Sequence, residues 1–302
     1  MFFKSQEGKS KVLSLYNQKL KDLPVNYSEK LLETKFGVTN IIIAGNPNLP
    51  PLVLIHGTGG CAPQILDSFP NLTSRYCVYA VDVLAQPTKS SENRLDMKSL
   101  DYGKWLTEVI IKLGLKEVTL VGFSFGGLIS LKALEFNQTF IKEAFLIAPV
   151  YIVNGNPFKS LIRMFVPLKK FIKTNDQRFM KKVMHNLFSE YDEFALKFMS
   201  ATFQNCNVDF SPLPVITKNN ARGIKTPINI FASEDDLMFP GKKMIKRANK
   251  IFPSLKRTSL LKNAKHVPRN RDFKLIEDLI LEKQNLNSVS YTHLTLPTIY
   301  SV

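Results

Sequence analysis

The stretch that most constrains the fold of this chain is Gly122-Phe123-Ser124-Phe125-Gly126-Gly127. The segment before it, Val118-Thr119-Leu120-Val121, is apolar or β-branched and predicts a short buried strand. The residues after it, 128–135, have the composition and the apolar spacing of a helix. Glycine on both sides of Ser124 suits a crowded strand-to-helix turn, because any side chain there would clash. We therefore expect the Ser124 hydroxyl to stand above the end of a sheet, at the positive end of a helix dipole.

A G-x-S-x-G pattern between a strand and a helix is typical of a nucleophile elbow. The pattern alone also occurs by chance, and Ser124 would then be a small turn residue. Acyl transfer to a serine needs further parts: a base, a group that orients the base, and donors for the developing oxyanion. In open α/β sheets such groups gather at the carboxyl ends of the strands. The residues that follow the other predicted strands therefore decide between the two interpretations.

Strand and helix signals alternate along most of the chain. The predicted strands cover residues 31–34, 39–44, 52–55, 77–81, 118–121, 144–149, 228–232 and 258–261, the first two as a hairpin around Gly37. The predicted helices cover residues 7–22, 100–113, 128–135, 241–251 and 273–281. This alternation predicts an α/β fold with a mostly parallel central sheet and helices on both faces.

The alternation stops at about residue 154 and resumes at about residue 226. Between these points the apolar residues follow helical stripes, over 179–188 and again over 194–203, and no strand is evident. A helical insertion between two strands is most simply a cap over the strand ends. We therefore expect residues 1–153 and 221–288 to form the core and residues 154–220 to form a helical cap.

The last residues, 289–302, begin with VSYTHLTLPT, which resembles one reading frame of a sequencing-library adaptor. We expect them to be a non-native tail, with the native terminus missing beyond about residue 288. The segment, His293 included, is therefore left out of fold and site reasoning. An ordinary unstructured tail is the alternative.

Two further strand ends carry candidate catalytic residues. Phe231-Ala232-Ser233-Glu234-Asp235-Asp236-Leu237-Met238-Phe239-Pro240 includes the end of the strand at 228–232, and Lys265-His266-Val267-Pro268 follows the strand at 258–261. Together with the elbow, these segments resemble the α/β-hydrolase superfamily in its capped, serine esterase- or lipase-like branch. The resemblance covers approximately residues 28–285. It implies the α/β-hydrolase fold with an inserted cap.

The resemblance also implies a catalytic triad in the order Ser124, Asp236 and His266. Members of the superfamily place the acid four residues before a proline, which selects Asp236 and leaves Asp235 and Glu234 as alternatives. His266 matches the base, although the family commonly has Gly-His-x-Pro where this chain has lysine before the histidine. His185, in the predicted cap, is expected to be a packing or surface residue.

His56-Gly57-Thr58, directly after the strand at 52–55, resembles the oxyanion loop of the same family. By that resemblance the backbone N–H groups of Thr58 and Phe125 would bind the oxyanion. We expect His56 itself to bond within its loop. Asp82, which follows the strand at 77–81, is expected to support a loop.

The resemblance implies a carboxylesterase-like serine hydrolase that cleaves an ester-type bond through an acyl-enzyme, without a metal ion or an organic cofactor. Phe123 beside the nucleophile, with the phenylalanines and methionines of the predicted cap, indicates a small-molecule substrate with an apolar acyl group. The alternative for most of these residues is that they pack the cap's own core. Three alternatives stay open: a carbon–carbon hydrolase, an acyltransferase, and a ligand receptor or signalling partner on the same fold. Serine at position 124 argues against dehalogenation and epoxide opening, which need an aspartate nucleophile.

The charge balance is strongly basic, with 41 Lys and Arg against 25 Asp and Glu, a formal net charge of +16. The basic residues are spread, with concentrations at 159–182 and 242–257, and neither carries a nucleic-acid-binding signature. We expect no nucleic-acid partner and a solvated basic surface, with weak association to an anionic membrane surface as the alternative. The three cysteines, Cys61, Cys77 and Cys206, lack metal-site spacing and predict free thiols. Free thiols and the absence of a signal-peptide pattern at residues 1–7 predict a cytoplasmic protein.

Overall fold

The computed structural model of the protein describes residues 1–288, so the predicted non-native tail lies outside the described residues. At its centre is an eight-stranded sheet in the order β1-β2-β4-β3-β5-β6-β7-β8. The strands are β1 (Tyr27–Thr34), β2 (Gly37–Ala44), β3 (Pro51–Ile55), β4 (Cys77–Val81), β5 (Val118–Phe123), β6 (Ile141–Ile147), β7 (Ile228–Ser233) and β8 (Leu255–Leu261). The pairs β1–β2 and β2–β4 are antiparallel, and all other pairs are parallel. The predicted α/β fold with a mostly parallel sheet is confirmed.

Helices cover both faces of this sheet, as parallel strands buried on both sides require. They are α1 (Gln6–Lys21), α2 (Ala62–Asp67), α3 (Asp101–Lys112), α4 (Phe125–Phe136), α5 (Pro157–Ser160), α6 (Val166–Thr174), α7 (Gln177–Leu187), α8 (Glu193–Asn205), α9 (Lys218–Gly223), α10 (Gly241–Ile251) and α11 (Asn270–Ser288). One apolar cluster joins α3, α4 and α10 to one face, and a second joins α1, α2 and α11 to the other. Both clusters are built from the alternating apolar residues of the strands.

The N-terminal helix α1 packs onto the sheet through the buried side chains of Val12, Tyr16 and Leu20. The hydroxyl of Tyr16 donates to Asp82 Oδ2 at 2.8 Å, directly after the end of β4. Asp82 also accepts from the side chain of Asn40 and from the backbone N–H of Ala62, both at 2.9 Å. Burial raises the pKa of the Asp82 carboxyl to about 6. Asp82 therefore ties α1, β2 and the start of α2 together, in agreement with its expected role in loop support.

The segment between β6 and β7 is helical. A π-helical turn, Leu161–Phe165, joins α5 to α6, and α7 and α8 follow. Residues 164–203 contribute an apolar cluster of their own, which includes Phe171, Met180 and Ala195. Two isolated bridges outside the sheet, Phe3 with Cys206 and Phe188 with Val267, connect the segment to the rest of the chain. The division into a core and a cap at residues 154 and 220 stays a prediction.

Several elements were not predicted. Helix α2 and the 3₁₀ turn Pro70–Ser74 are too short to show a helical period, and α5 and α6 carry apolar residues on their exposed side, which obscures the period. The three cysteines are free and buried. Among the described helices, none has the length and apolarity needed to cross a membrane.

Candidate active site

Ser124 occupies a strained turn between β5 and α4. Its backbone has φ +52° and ψ −109°, a conformation that residues with a side chain rarely adopt. The turn is held by the backbone N–H of Ser124, which donates to Ile147 O at 2.9 Å, and by the N–H of Val150, which donates to Ser124 O at 3.0 Å. Both partners lie in or directly after β6. The neighbouring strand therefore holds the serine in place.

The glycines around Ser124 are required by close backbone contacts. A Cβ atom on Gly122 would lie 2.5 Å from the carbonyl oxygen of Gly126, and one on Gly126 would lie 2.3 Å from that of Ile55. Neither distance is compatible with a carbon atom, so α4 packs against the ends of β3 and β5 only because these side chains are absent. The sequence argument that glycine removes a clash is thus supported by named contacts.

A chain of hydrogen bonds runs from Ser124 through His266 to Asp236. The Nε2 atom of His266 lies 2.9 Å from Ser124 Oγ, and its Nδ1 atom lies 2.7 Å from Asp236 Oδ2. A carboxylate can only accept, so Nδ1 carries the proton and Nε2 accepts from the serine hydroxyl. Residues 142 positions apart in the chain thereby meet in the geometry of a nucleophile and its base.

The structure also distinguishes the three neighbouring acids. The other oxygen of Asp236, Oδ1, accepts from the backbone N–H groups of Met238 and Phe239 at 2.8 and 2.9 Å, which fixes the carboxylate. Glu234 pairs instead with Lys242, and Asp235 lies exposed on the outer side of the turn. Only Asp236 reaches His266.

The loop after β3 lies directly beside the serine. A Cβ atom on Gly57 would lie 3.1 Å from Ser124 Cβ, so this glycine lets the loop approach. The Nε2 atom of His56 accepts from the backbone N–H of Val83 at 3.0 Å, which puts the proton on Nδ1, 2.8 Å from Gly57 O. Burial lowers the pKa of His56 to about 4. His56 therefore bonds within its loop and to the end of β4, as expected from the sequence.

The backbone N–H groups of Thr58 and Phe125 have no acceptor among the residues that the structure describes. Thr58 lines the cavity that contains Ser124, and Phe125 is the first residue of α4, where helical N–H groups have no partner within the helix. The ring of Phe125 points away from this cavity and packs edge-on against Tyr102, 5.1 Å between centroids. The side chain of Phe125 therefore does not line the cavity.

A cavity of about 180 Å³ opens in front of Ser124 and His266. Phe123 lines it, and its ring lies 5.5 Å from the imidazole of His266. The other apolar lining residues come from α2, the end of α7 and the residue after it, α8, the histidine loop and α11: Ile65, Leu187, Phe188, Phe194, Met199, Val267 and Phe273. Apolar side chains therefore form much of the cavity wall, next to polar lining residues such as Gln64, Asp192 and Asn270.

Charged residues also line this cavity. Lys19 of α1 pairs with Asp67 of α2, and its ammonium group lies 5.2 Å from the centre of the Phe194 ring of α8. Lys19 of α1 thus contacts two other helices, α2 and α8, at the cavity. Sequence reasoning missed it, because α1 is distant from the motifs and the approach of α8 to α1 is a tertiary feature.

The histidine loop is held from outside by the last turn of α7 and by Ser189, which follows it. Ser189 Oγ accepts from the backbone N–H of Lys265 at 2.8 Å and donates to the carbonyl of Val267 at 2.8 Å, on either side of His266. The backbone N–H of Val267 donates to Leu187 O at 2.8 Å, and Lys265 Nζ donates to His185 O at 2.5 Å. The lysine that departs from the family's usual glycine therefore contacts the helical segment. His185 is exposed and lies away from Ser124, as expected.

Comparison with known proteins gives a consistent family. A family model described as the alpha/beta hydrolase fold matches residues 50–179. The chain is 26% identical over 260 residues to the carboxylesterase nap of Bacillus subtilis, across 83% of this chain and 85% of the relative. It is 21% identical over 278 residues to the carboxylesterase YbfK of the same species, across 88% of this chain and 91% of the relative. The crystal structure of naproxen esterase from Bacillus subtilis superposes with a TM-score of 0.81 at 21% identity, covering 93% of this chain and 99% of that one.

Proposed function

We propose that this chain is a serine hydrolase of the α/β-hydrolase superfamily that cleaves carboxylic ester bonds through an acyl-enzyme on Ser124. The observation that carries the proposal is the hydrogen-bonded series Ser124, His266 and Asp236, with 2.9 and 2.7 Å between the bonded atoms. It lies in the cavity beside the unpaired N–H of Thr58. The names of the two relatives, both carboxylesterases, support the same reaction.

In the first half of the proposed reaction, Ser124 Oγ attacks the ester carbonyl carbon while His266 Nε2 takes the hydroxyl proton. The carbonyl electrons move onto oxygen, and the N–H groups of Thr58 and Phe125 stabilise that charge; one such donor is worth roughly 10²–10³ in rate. The tetrahedral intermediate collapses, the carbon–oxygen bond to the alcohol breaks, and His266 returns its proton to the leaving alkoxide. Asp236 keeps Nδ1 protonated and stabilises the imidazolium between these steps.

In the second half, water takes the place of the alcohol. His266 removes a proton from the water as it attacks the acyl carbon, and the same backbone N–H groups hold the second tetrahedral intermediate. Collapse breaks the bond to Ser124 Oγ, which recovers its proton from His266. The product is a carboxylic acid, and every proton is carried by side chains that this chain supplies.

The substrate is a small-molecule ester, and we infer that its acyl group is apolar. Support comes from the side chains that line the cavity, which include four phenylalanines, Phe123, Phe188, Phe194 and Phe273. An apolar group placed among them is removed from water at roughly 25 cal/mol per Å². A series of p-nitrophenyl esters with increasing acyl length tests this inference: kcat/KM rising with chain length supports it, and no dependence on length rejects it.

The reaction itself is tested by Ser124→Ala. We expect it to lower the rate of p-nitrophenyl ester hydrolysis at least 10³-fold, as the loss of a triad member does. The far-UV circular dichroism spectrum should be unchanged. A fluorophosphonate probe should label the native protein at Ser124 and leave the variant unlabelled. Hydrolysis by Ser124→Ala at the native rate would reject the assignment. Labelling without turnover of any ester would favour acyl transfer, carbon–carbon cleavage or a ligand receptor on the same fold.

Weak attraction to anionic membrane surfaces is part of the proposal as well. It is supported by the formal net charge of +16, which favours accumulation of the protein at negative lipid surfaces. Flotation with vesicles at rising salt tests it, since attraction that rests on charge decreases as the salt screens it.

A further inference from the structure

The helical stretch from Pro157 to Thr174 exposes an unusual set of apolar side chains. Phe158, Leu161, Ile162 and Val166 are 74%, 48%, 66% and 40% exposed. Four of the thirteen most exposed large apolar residues in the described part of the chain therefore fall within nine consecutive positions. Their spacing, i, i+3, i+4 and i+8, places them along one side of the helical stretch. Phe210, itself half exposed, extends this set through ring contact with Phe165 at 5.8 Å.

The same stretch is firmly packed on its opposite side. Met164, Leu168 and Phe171 are buried in the apolar cluster that they form with α7 and α8. The outward apolar residues are therefore not the result of a loosely folded segment. Two of these outward residues, Leu161 and Ile162, belong to the π-helical turn Leu161–Phe165. Such turns are frequent at functional sites.

Positive charge surrounds this apolar set. Residues 157–175 contain no acidic residue and five basic ones, Lys159, Arg163, Lys169, Lys170 and Lys173, all of them exposed. None of the five forms an ion pair with any side chain that the structure describes. The nearest acids are engaged or lie to one side: Asp176 pairs with Arg178, Glu234 pairs with Lys242, and Glu234 and Asp235 share a cleft with Lys159 and Arg163.

We propose that this surface, the apolar–basic face (residues 158–173), docks the protein onto an anionic lipid surface. Apolar residues would enter the boundary between headgroups and acyl chains, and the lysines would reach the phosphate layer on their flexible stems, as interfacial helices do. A second copy of the chain is disfavoured, because its five basic residues would meet five of the same sign.

The face is connected to the proposed active site through α7. Asn186 Nδ2 donates to Arg163 O at 3.1 Å, and the next two residues, Leu187 and Phe188, line the cavity in front of Ser124. Docking would therefore hold the helical segment, and with it one wall of the cavity, next to lipid. This inference goes beyond ester hydrolysis, since it concerns where the protein is held and not the reaction.

The test is co-sedimentation of the full chain with vesicles of phosphatidylcholine, with and without phosphatidylglycerol. Two double variants probe the face: Phe158→Ser with Ile162→Ser, and Lys169→Glu with Lys173→Glu. We expect each to lower partitioning onto the anionic vesicles by roughly tenfold or more, since a lysine near such a surface and a buried large apolar side chain each contribute about 1 kcal/mol or more. Phosphatidylcholine alone should bind weakly.

Matched controls keep the test specific. Lys246→Glu with Lys250→Glu changes the net charge equally on α10, and Leu31→Ser removes an equally exposed apolar residue from β1. Both should stay within about twofold of the native chain. Equal losses in the α10 control would mean that net charge alone drives binding, and the docking face would be rejected. The docking face would also be rejected if the native chain did not bind the vesicles, or bound them equally with and without phosphatidylglycerol.

Hydrolysis of a water-soluble ester is measured in parallel on all of these variants. It should be unchanged, because none of the substituted residues lines the cavity. Loss of vesicle binding with full hydrolysis separates the docking face from the proposed reaction. Absence of hydrolysis in the native chain would reject the reaction and leave the binding result intact.

Discussion

The serine loop and the histidine loop are held in opposite ways. Ser124 is held from within: its turn is fixed by backbone bonds to β6 and by glycines that bring α4 against β3. His266 is held from two sides, by Asp236 of the core and by Ser189, which follows α7 in the inserted helical segment. The position of the proposed nucleophile is thus a property of the sheet, whereas the position of the proposed base depends also on Ser189, 76 residues away from Lys265 in the chain.

The difference has a physical reason. A strand-to-helix turn is short and packed by backbone atoms, so a local sequence can specify it. Strand β8 is at the edge of the sheet, so no neighbouring strand lies beside the loop that follows it. In this loop, the Asp236 carboxylate bonds to the imidazole of His266 and not to the backbone. The backbone N–H groups of the loop need acceptors elsewhere, and Leu187 at the end of α7 and Ser189 after it supply them.

The largest effect should come from the inner support of the base. Asp236→Asn retains the shape of the side chain but removes the charge that stabilises the imidazolium and selects the tautomer of His266. We expect kcat to fall by roughly 10³–10⁴. The adjacent Asp235→Asn is the matched control and should change kcat by less than about twofold, because Asp235 does not contact His266. If the two variants lost activity equally, the assignment of the acid would be wrong.

The internal support of the nucleophile is tested by Gly126→Ala. The new methyl carbon would lie 2.3 Å from Ile55 O, so α4 or β3 must shift. A displacement of about 1 Å at a reacting group costs on the order of 10² in rate, and we expect at least that loss in kcat together with a lower midpoint of urea unfolding. Gly223→Ala, where a Cβ meets nothing within 4 Å, is the control and should resemble the native enzyme.

The outer support of the base is tested by Ser189→Ala. It removes two hydrogen bonds, from Lys265 N–H and to Val267 O, and leaves the bond between Asp236 and His266 in place. We expect kcat to fall by roughly five- to tenfold with KM nearly unchanged, since mispositioning affects the transition state. Ser189→Thr should restore most of the rate, because it retains the hydroxyl.

Ser200→Ala, another serine of the helical segment, bonds to Gln177 and is expected to have no effect on kcat. A Ser189→Ala variant with the native kcat would show that the hydrogen bonds of Ser189 do not help to position His266. Equal falls in kcat for both serine variants would point instead to general loosening of the helical segment.

The pH dependence of the free energy of unfolding tests the loop after β3, which contains His56 and lies beside Ser124. Burial lowers the pKa of His56 to about 4 in the folded chain, whereas in the unfolded chain its pKa is near the ordinary value of about 6.5. Between these two pH values the unfolded chain is protonated at His56 and the folded chain is not. Stability from this group is lost as the pH falls from about 6.5 to 4, on the order of 3 kcal/mol in total. Asp82 acts in the opposite direction: its pKa is raised to about 6, so its contribution is lost as the pH rises towards that value.

The two opposing effects should leave the native chain with a shallow pH dependence from these groups. In Asp82→Asn the histidine effect is no longer offset, and the free energy of unfolding should fall more steeply between pH 6.5 and 4 than in the native chain. Urea unfolding at several pH values measures the slope, which is independent of any constant loss caused by the substitution. Parallel curves for the two proteins would contradict the assignment of these pKa shifts.

The smallest effect is expected from Lys265→Gly, which introduces the residue that the family commonly carries. It removes the bond from Lys265 Nζ to His185 O but retains the backbone N–H that donates to Ser189. We expect kcat to change by less than about threefold in the ester assay. A larger loss of kcat would mean that the bond from Lys265 to His185 O, and not only Ser189, positions the histidine loop.

Much of the fold and of the candidate site could be predicted from local patterns. The strands show as apolar runs, and the segment Gly122–Gly126 combines a strand, a turn and a helix in one stretch. The choice of Asp236 over Asp235 and Glu234 comes from the resemblance to the α/β-hydrolase superfamily, whose members place the acid four residues before a proline, and the structure brings the same residue to His266. Helices α5 and α6 were missed because their outward side is apolar, which is the pattern that the docking proposal depends on.

By itself the sequence determined the fold class and the elbow, because each depends on contacts between residues close in the chain or on the regular pairing of strands. The order of the three candidate catalytic residues came from the resemblance of their motifs to the α/β-hydrolase superfamily. Only the tertiary structure decided that Ser189 brackets the histidine, that Lys19 reaches the cavity and that the apolar side of residues 158–166 faces outward. Such contacts join segments that have no regular repeat between them. Their pairing is set by how the helical segment settles on the finished sheet, where packing selects among many arrangements that the local sequence allows equally.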